Sequence, residues 1–180
     1  MSGIGNIRPR GGHLGLILPL CTASATVGMT IFQYPMLLAF LNARPTITGK
    51  PMSRFFDALA VPAIASIVPT TLVSAISGLV CARWLRTHVT LETTSVSNWY
   101  LYGSVFAVGH LAFVPLVAGP IKRMAEAGRD VITRSEEEIE KANEKELKQW
   151  LIVHTVRTLT VDLFALVCFA EGVAQSLWII

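Results

Sequence analysis

The last thirty residues, Leu151 to Ile180, constrain the fold of this chain more than any other stretch. They form an apolar run longer than the roughly 20 residues a helix needs to cross a bilayer. Yet the run carries His154, Arg157, Asp162 and Glu171. An ionisable group at membrane depth costs about 2.5–3.5 kcal/mol even on lenient insertion scales, so a helix keeps one only against protein or a wet cavity. Four within eighteen residues imply that the inner face of this helix has a polar task.

The rest of the chain agrees with a membrane setting. Of 180 residues, 52% are hydrophobic and 15% charged, and fifteen of the 27 charged residues fall between Lys122 and Lys148. What remains is too poor in charge to cover a water-soluble surface. The net charge of +3 is small and sits at the ends of apolar runs, which argues against nucleic acid as a partner and for the lipid bilayer. Cys21, Cys81 and Cys168 lie within or beside apolar runs and read as buried thiols rather than a disulfide framework.

The pattern predicts an all-α integral membrane protein: a single domain of four transmembrane helices, up-down-up-down, with a cytosolic helical hairpin between helices three and four. The spans are expected at about 14–41, 58–82, 99–121 and 150–178, with Asn42 to Asp57 and Arg83 to Asn98 as connections. Pro35 is expected to kink the first span. In the charged segment 122–149, Ser135 followed by Glu138 makes a capping box, and Glu137/Lys141 and Glu144/Lys148 are favourable i,i+4 pairs. The third span should therefore run past the membrane, turn near Thr133, and return as a helix continuous with the fourth. Lys and Arg number ten on the side of the first and third connections and four on the other. The positive-inside rule then places the hairpin in the cytosol and the termini in the lumen of the endoplasmic reticulum or another endomembrane.

Counting inward from the hairpin side at 1.5 Å per residue, His154 lies about 6 Å deep, Arg157 and Gln33–Tyr34 about 10–12 Å, and His110, Asp162 and Thr70 about 16–18 Å. On a helical wheel centred on His154, Arg157 falls about 60° to one side, with Thr158 about 40° and Asp162 about 80° to the other. One side of the last span can therefore present them all. Glu171, about 100° round on the Arg157 side, falls outside this group together with Gln175. His110, His154, Arg157 and Asp162 are the candidate catalytic residues; Gln33, Tyr34, Thr158 and Thr70 are the candidate substrate contacts.

Two patches carry a resemblance. The fourth span opens Trp150-Leu-Ile-Val-His154-Thr-Val-Arg157, and the third closes Pro115-Leu-Val-Ala-Gly-Pro120-Ile-Lys-Arg123-Met. With Gly28 and Gln33-Tyr34-Pro35, they resemble the small four-span family that includes the fungal anthrone oxygenases. Where that family is expected to carry Pro-x-Asn-Arg, this chain has Pro120-Ile-Lys122-Arg123. The resemblance implies a monooxygenase of secondary metabolism that oxidises a hydrophobic aromatic polyketide intermediate with molecular oxygen as co-substrate and no organic cofactor. It also implies roles: His154 or His110 as the base, Arg157 stabilising an enolate or phenolate, Asp162 orienting a histidine, and Gln33 and Tyr34 binding phenolic oxygens. Three other readings stay open: a metal-dependent oxidase using His110, His154 and Asp162, a carrier, or a non-catalytic tetraspan scaffold. In the last, soluble pathway enzymes or a second copy would dock on 122–149.

Overall fold

The computed structural model describes residues 12–42, 47–88, 94–129 and 134–179. It is all-α. The order is α1 (Gly12–Asn42), α2 (Lys50–His88), α3 (Thr94–Ala112), α4 (Val114–Ala127), α5 (Glu136–Arg157), a π-helical turn (Thr158–Asp162), and α6 (Leu163–Ile179). Four helical stretches are long and apolar enough to cross a membrane: Leu14–Asn42, Lys50–His88, Ser95–Ala127 and Glu136–Leu177. Large apolar side chains point outward along them, among them Leu14, Phe32, Val61 and Ile152, each more than 60% exposed. An apolar outer face of that kind is consistent with a membrane-embedded bundle.

The helices run past the limits expected from hydropathy. The segment 42–57 is not all loop, because α2 already starts at Lys50. Two groups on α5 hold that start in place. The Lys50 amide donates to Glu136 Oε1 at 3.0 Å, and the Asn143 amide donates to the Thr48 and Gly49 carbonyls at 2.9 and 3.0 Å. A carboxylate at a helix N-terminus also complements its dipole. At its other end α2 continues to His88, where Arg86 donates to Ser97 and Asn98 of α3. The capping box at Ser135 and both i,i+4 pairs are formed, at 2.7 Å for Glu137/Lys141 and 2.6 Å for Glu144/Lys148. The expected turn at Thr133 lies outside the described residues.

The third span breaks once along its length. Phe113 separates α3 from α4 because Pro115 has no amide to return to the turn before it. The Phe113 amide tightens instead onto the His110 carbonyl at 3.1 Å. α1, by contrast, stays helical through both Pro19 and Pro35. Cys81 and Cys168 are buried as expected, but Cys21 is exposed; all three are free thiols.

Two apolar clusters hold the bundle. One, around Tyr100, Phe169, Leu85 and Ala75, joins α1, α2, α3 and α6. The other, around Leu37, Met52, Phe56, Met124, Leu147 and Trp150, joins the charged end. In the first, Phe169 is clamped between helices at two glycines: a Cβ on Gly78 or Gly103 would come within 2.6 Å of its ring. Gly103→Ala is therefore expected to destabilise the bundle by about 1–3 kcal/mol through overpacking. Thermal unfolding of the purified protein in detergent checks this; an unchanged midpoint would mean that the ring has room to move.

Candidate functional site

Between the two apolar clusters lies a polar layer. α1 supplies Thr30 and Tyr34, α3 supplies His110 in its last turn, and α5 with the π turn supplies His154, Arg157 and Asp162. All but Tyr34 are buried.

The π turn explains how Arg157 and Asp162 meet. Five residues apart on a regular α-helix, they would diverge by about 140°. A turn closed between residues i and i+5 stacks them instead, and the Leu163 amide bonds the Thr158 carbonyl in that pattern. Three threonine hydroxyls bond back to the helix around this turn. Thr155, Thr158 and Thr160 donate to the carbonyls of Leu151, His154 and Val156 at 2.8, 2.7 and 2.6 Å. Such back-bonding competes with the helix amides for the same acceptors.

The hydrogen bonds make one chain. His110 Nδ1–H donates to Asp162 Oδ1 at 2.7 Å, and Arg157 Nε–H donates to Asp162 Oδ2 at 3.3 Å. Arg157 Nη2–H donates to His154 Nδ1 at 2.8 Å. Because a guanidinium can only donate, His154 Nδ1 carries no proton, and its Nε2–H donates to the Thr30 carbonyl at 3.2 Å. Trp150 stacks on one side of the His154 ring at 4.4 Å and 18°, and Tyr34 tilts against it at 4.9 Å. The Tyr34 hydroxyl is itself tied to Thr155 Oγ1 at 2.8 Å. Asp162 thus faces both Arg157 and His110, and a buried carboxylate–guanidinium pair needs such hydrogen bonds to offset its desolvation.

The two histidines are not equivalent. Both nitrogens of His154 are engaged and its ring is held between two aromatic side chains, so it positions Arg157. His110 Nε2 has no hydrogen bond among the described residues and is not one of the sealed side-chain atoms left without a partner. It opens onto a cleft of about 400 Å³, which His110 and Arg157 line at one end. The walls are α2, through Ala60, Ile64 and Ile67, and α4, from Val114 to Glu126. Along α4 this is about 18 Å at 1.5 Å per residue. The other end carries the Asp57–Arg129 pair at 2.6 Å and Lys122 with Glu126. A mostly apolar cleft of this volume with a few convergent polar groups is the usual form of a small-molecule site.

The sequence-selected residues divide accordingly. His110, Arg157 and Asp162 converge, and Gln33 lines the cleft farther along. Tyr34 sits behind His154 rather than on the cleft wall. Thr158 spends its hydroxyl on the His154 carbonyl, and Thr70 spends its own on the Ser66 carbonyl. It is the neighbouring Thr71 that is buried, beside His110 and Asp162. Neither Thr70 nor Thr158 is a cleft contact. Glu171 is exposed and accepts from Gln175 at 3.4 Å, next to Gly172, which abuts Tyr100 in the other half of the bundle.

Three contributors do not stand out in the sequence: Thr30, Thr155 and Trp150. Trp150 is legible in principle, because it stands seven residues before Arg157 and so shares its helix face. Among the described residues, no three His, Cys, Asp or Glu side chains are grouped so as to hold a metal ion. No family model matches the chain, and no curated protein or solved structure gives a significant match.

Proposed function

We propose that this chain is a four-span membrane enzyme that oxygenates an acidic carbon of a hydrophobic aromatic substrate. The observation that carries this reading is the His110–Asp162–Arg157 constellation at the end of an apolar cleft. Asp162 fixes His110 with its proton on Nδ1, leaving Nε2 as the base. Arg157 keeps three N–H groups beyond those given to Asp162 and His154, and these suit the oxygen of an enolate.

The steps balance without an organic cofactor. His110 Nε2 takes a proton from a methylene flanked by two aryl rings and activated through them by a carbonyl, and the charge delocalises onto the oxygen facing Arg157. The carbanion gives an electron to molecular oxygen, and the radical pair combines to a carbon-bound peroxide. The imidazolium returns its proton to the outer peroxide oxygen. Loss of the remaining carbon proton to His110 then breaks the O–O bond, forms the new carbonyl, and releases hydroxide, which leaves as water on taking that proton. One oxygen atom of O₂ ends in the product and one in water.

The same reading includes the topology: four antiparallel crossings, the 122–149 hairpin in the cytosol, and the termini lumenal in an endomembrane. The ten-to-four bias of basic residues supports it. A substrate dissolved in lipid would enter between α2 and α4. Membranes containing this protein alone, incubated with an anthrone under ¹⁸O₂, should yield a quinone with one labelled carbonyl oxygen. Label appearing no faster than in membranes without the protein would refute the proposal.

A further inference from the structure

The cleft has a second polar end that this chemistry does not use. Asp57, Lys122, Glu126 and Arg129 line it there, paired as Asp57–Arg129 at 2.6 Å and Lys122–Glu126 at 3.7 Å. All four side chains are between 48% and 75% exposed, so a ligand can reach them. Exposed pairs of this kind are weak, and exchanging one partner for a ligand's charge costs little. Among the described residues Arg129 gives one N–H to Asp57, out of the five a guanidinium carries. Two cations and two carboxylates leave the cluster neutral, which suits a group that carries both charges better than a bare anion or cation.

Position along the membrane points the same way. Ile121 marks the expected edge of the third span, and Lys122 to Arg129 continue about 2–12 Å beyond it, the level of lipid headgroups. From Ile121 back to His110 the cleft runs about 16 Å, against about 15 Å for the hydrocarbon of one leaflet. Its walls over that length are mostly apolar, and its flank is open, since Ile64 and Ala118 line it and are exposed. The cleft therefore repeats the order of parts in a lipid, with charges at the headgroup level and an apolar body one leaflet deep.

We propose that a zwitterionic phospholipid of the hairpin-side leaflet occupies this cleft when no substrate is bound. Its phosphate accepts from Lys122 and Arg129, its ammonium faces Asp57 and Glu126, and one acyl chain lies between α2 and α4. The chain brings no oxygen to Arg157, whose N–H groups beyond those given to Asp162 and His154 stay unmatched. A ligand with an oxygen at that depth therefore displaces the lipid, which keeps the cleft closed to apolar molecules that lack one. Occupancy by lipid needs only the cleft and its membrane setting; its displacement rests on the cleft being the substrate site, and neither depends on the reaction that occurs there.

The test is lipid retention by the full-length protein, read by native mass spectrometry from micelles holding equal amounts of dioleoyl phosphatidylcholine and dioleoyl phosphatidylglycerol. The wild type should keep one phospholipid per chain and prefer phosphatidylcholine about fivefold, the worth of one or two exposed charge contacts. Asp57→Asn with Glu126→Gln leaves two cations without their carboxylates and should turn the preference toward the anionic lipid. Ala118→Trp narrows the apolar groove with the charges intact and should lower retention of both lipids. All three positions are exposed, so the variants should fold. No retained phospholipid, an equal or reversed preference in the wild type, or either variant behaving as the wild type, overturns the proposal. Retention involves neither substrate nor oxygen, so a protein that holds the lipid but forms no labelled quinone loses only the oxygenase reading.

Discussion

His110→Ala should lower turnover of an anthrone by about 10²- to 10⁴-fold, the usual worth of a positioned general base. Insertion of the protein into membranes should be unchanged. His110 is 1% exposed, and its partner Asp162 keeps Arg157 when the imidazole is gone. The loss should fall on kcat, because the base acts on the reacting carbon and adds little to binding of the rings. His154→Ala should behave differently. It removes a support of Arg157 and the stacking partner of Trp150 and Tyr34, so substrate affinity should suffer along with rate. Rates measured in membranes across a range of substrate concentrations separate the two outcomes. Full activity in His110→Ala would transfer the base role elsewhere.

The second large effect is on stability. Asp162→Ala should destabilise the protein by about 3–5 kcal/mol, because it strands the Arg157 guanidinium in a low-dielectric interior with only the His154 nitrogen, among the described residues, to receive it. The double variant Asp162→Leu with Arg157→Met should recover most of that loss, since apolar residues of similar size often replace a buried ion pair at no cost in stability. It should nevertheless be inactive. Unfolding midpoints in detergent give the test, and a double variant no more stable than Asp162→Ala would show that the pair is needed for folding in its own right.

Much of this arrangement can be read from the residues. Long uncharged runs announce spans, and the depth count places His110 and Asp162 at one level, where they meet at 2.7 Å. Helical-wheel reasoning does less well with Arg157 and Asp162, because it assumes one constant angle per residue. The π turn at Thr158–Asp162 breaks that assumption, because one residue more per turn brings Arg157 and Asp162 onto the same side. Depth alone favours Thr70 as readily as Thr71, and depth says nothing about which way a helix is turned. The break at Phe113 follows from Pro115, but Pro19 and Pro35 are equally proline and leave α1 helical. Hydropathy likewise places the start of α2 too late, because Lys50 and Arg54 look like loop until Glu136 and Asn143 of α5 are brought against that segment. The unequal roles of the two histidines depend on partners distant in sequence, Thr30 for one and Asp162 for the other.

The claim on which everything turns is that His110 removes a carbon-bound proton inside the cleft, before oxygen takes part. Anaerobic incubation of an anthrone with the protein in D₂O isolates that step, read as deuterium gained at the acidic methylene by mass spectrometry. The wild-type protein should accelerate exchange well above the rate in empty membranes, with the acceleration lost in His110→Ala. Exchange no faster than in empty membranes, or equally fast with and without His110, would contradict the account.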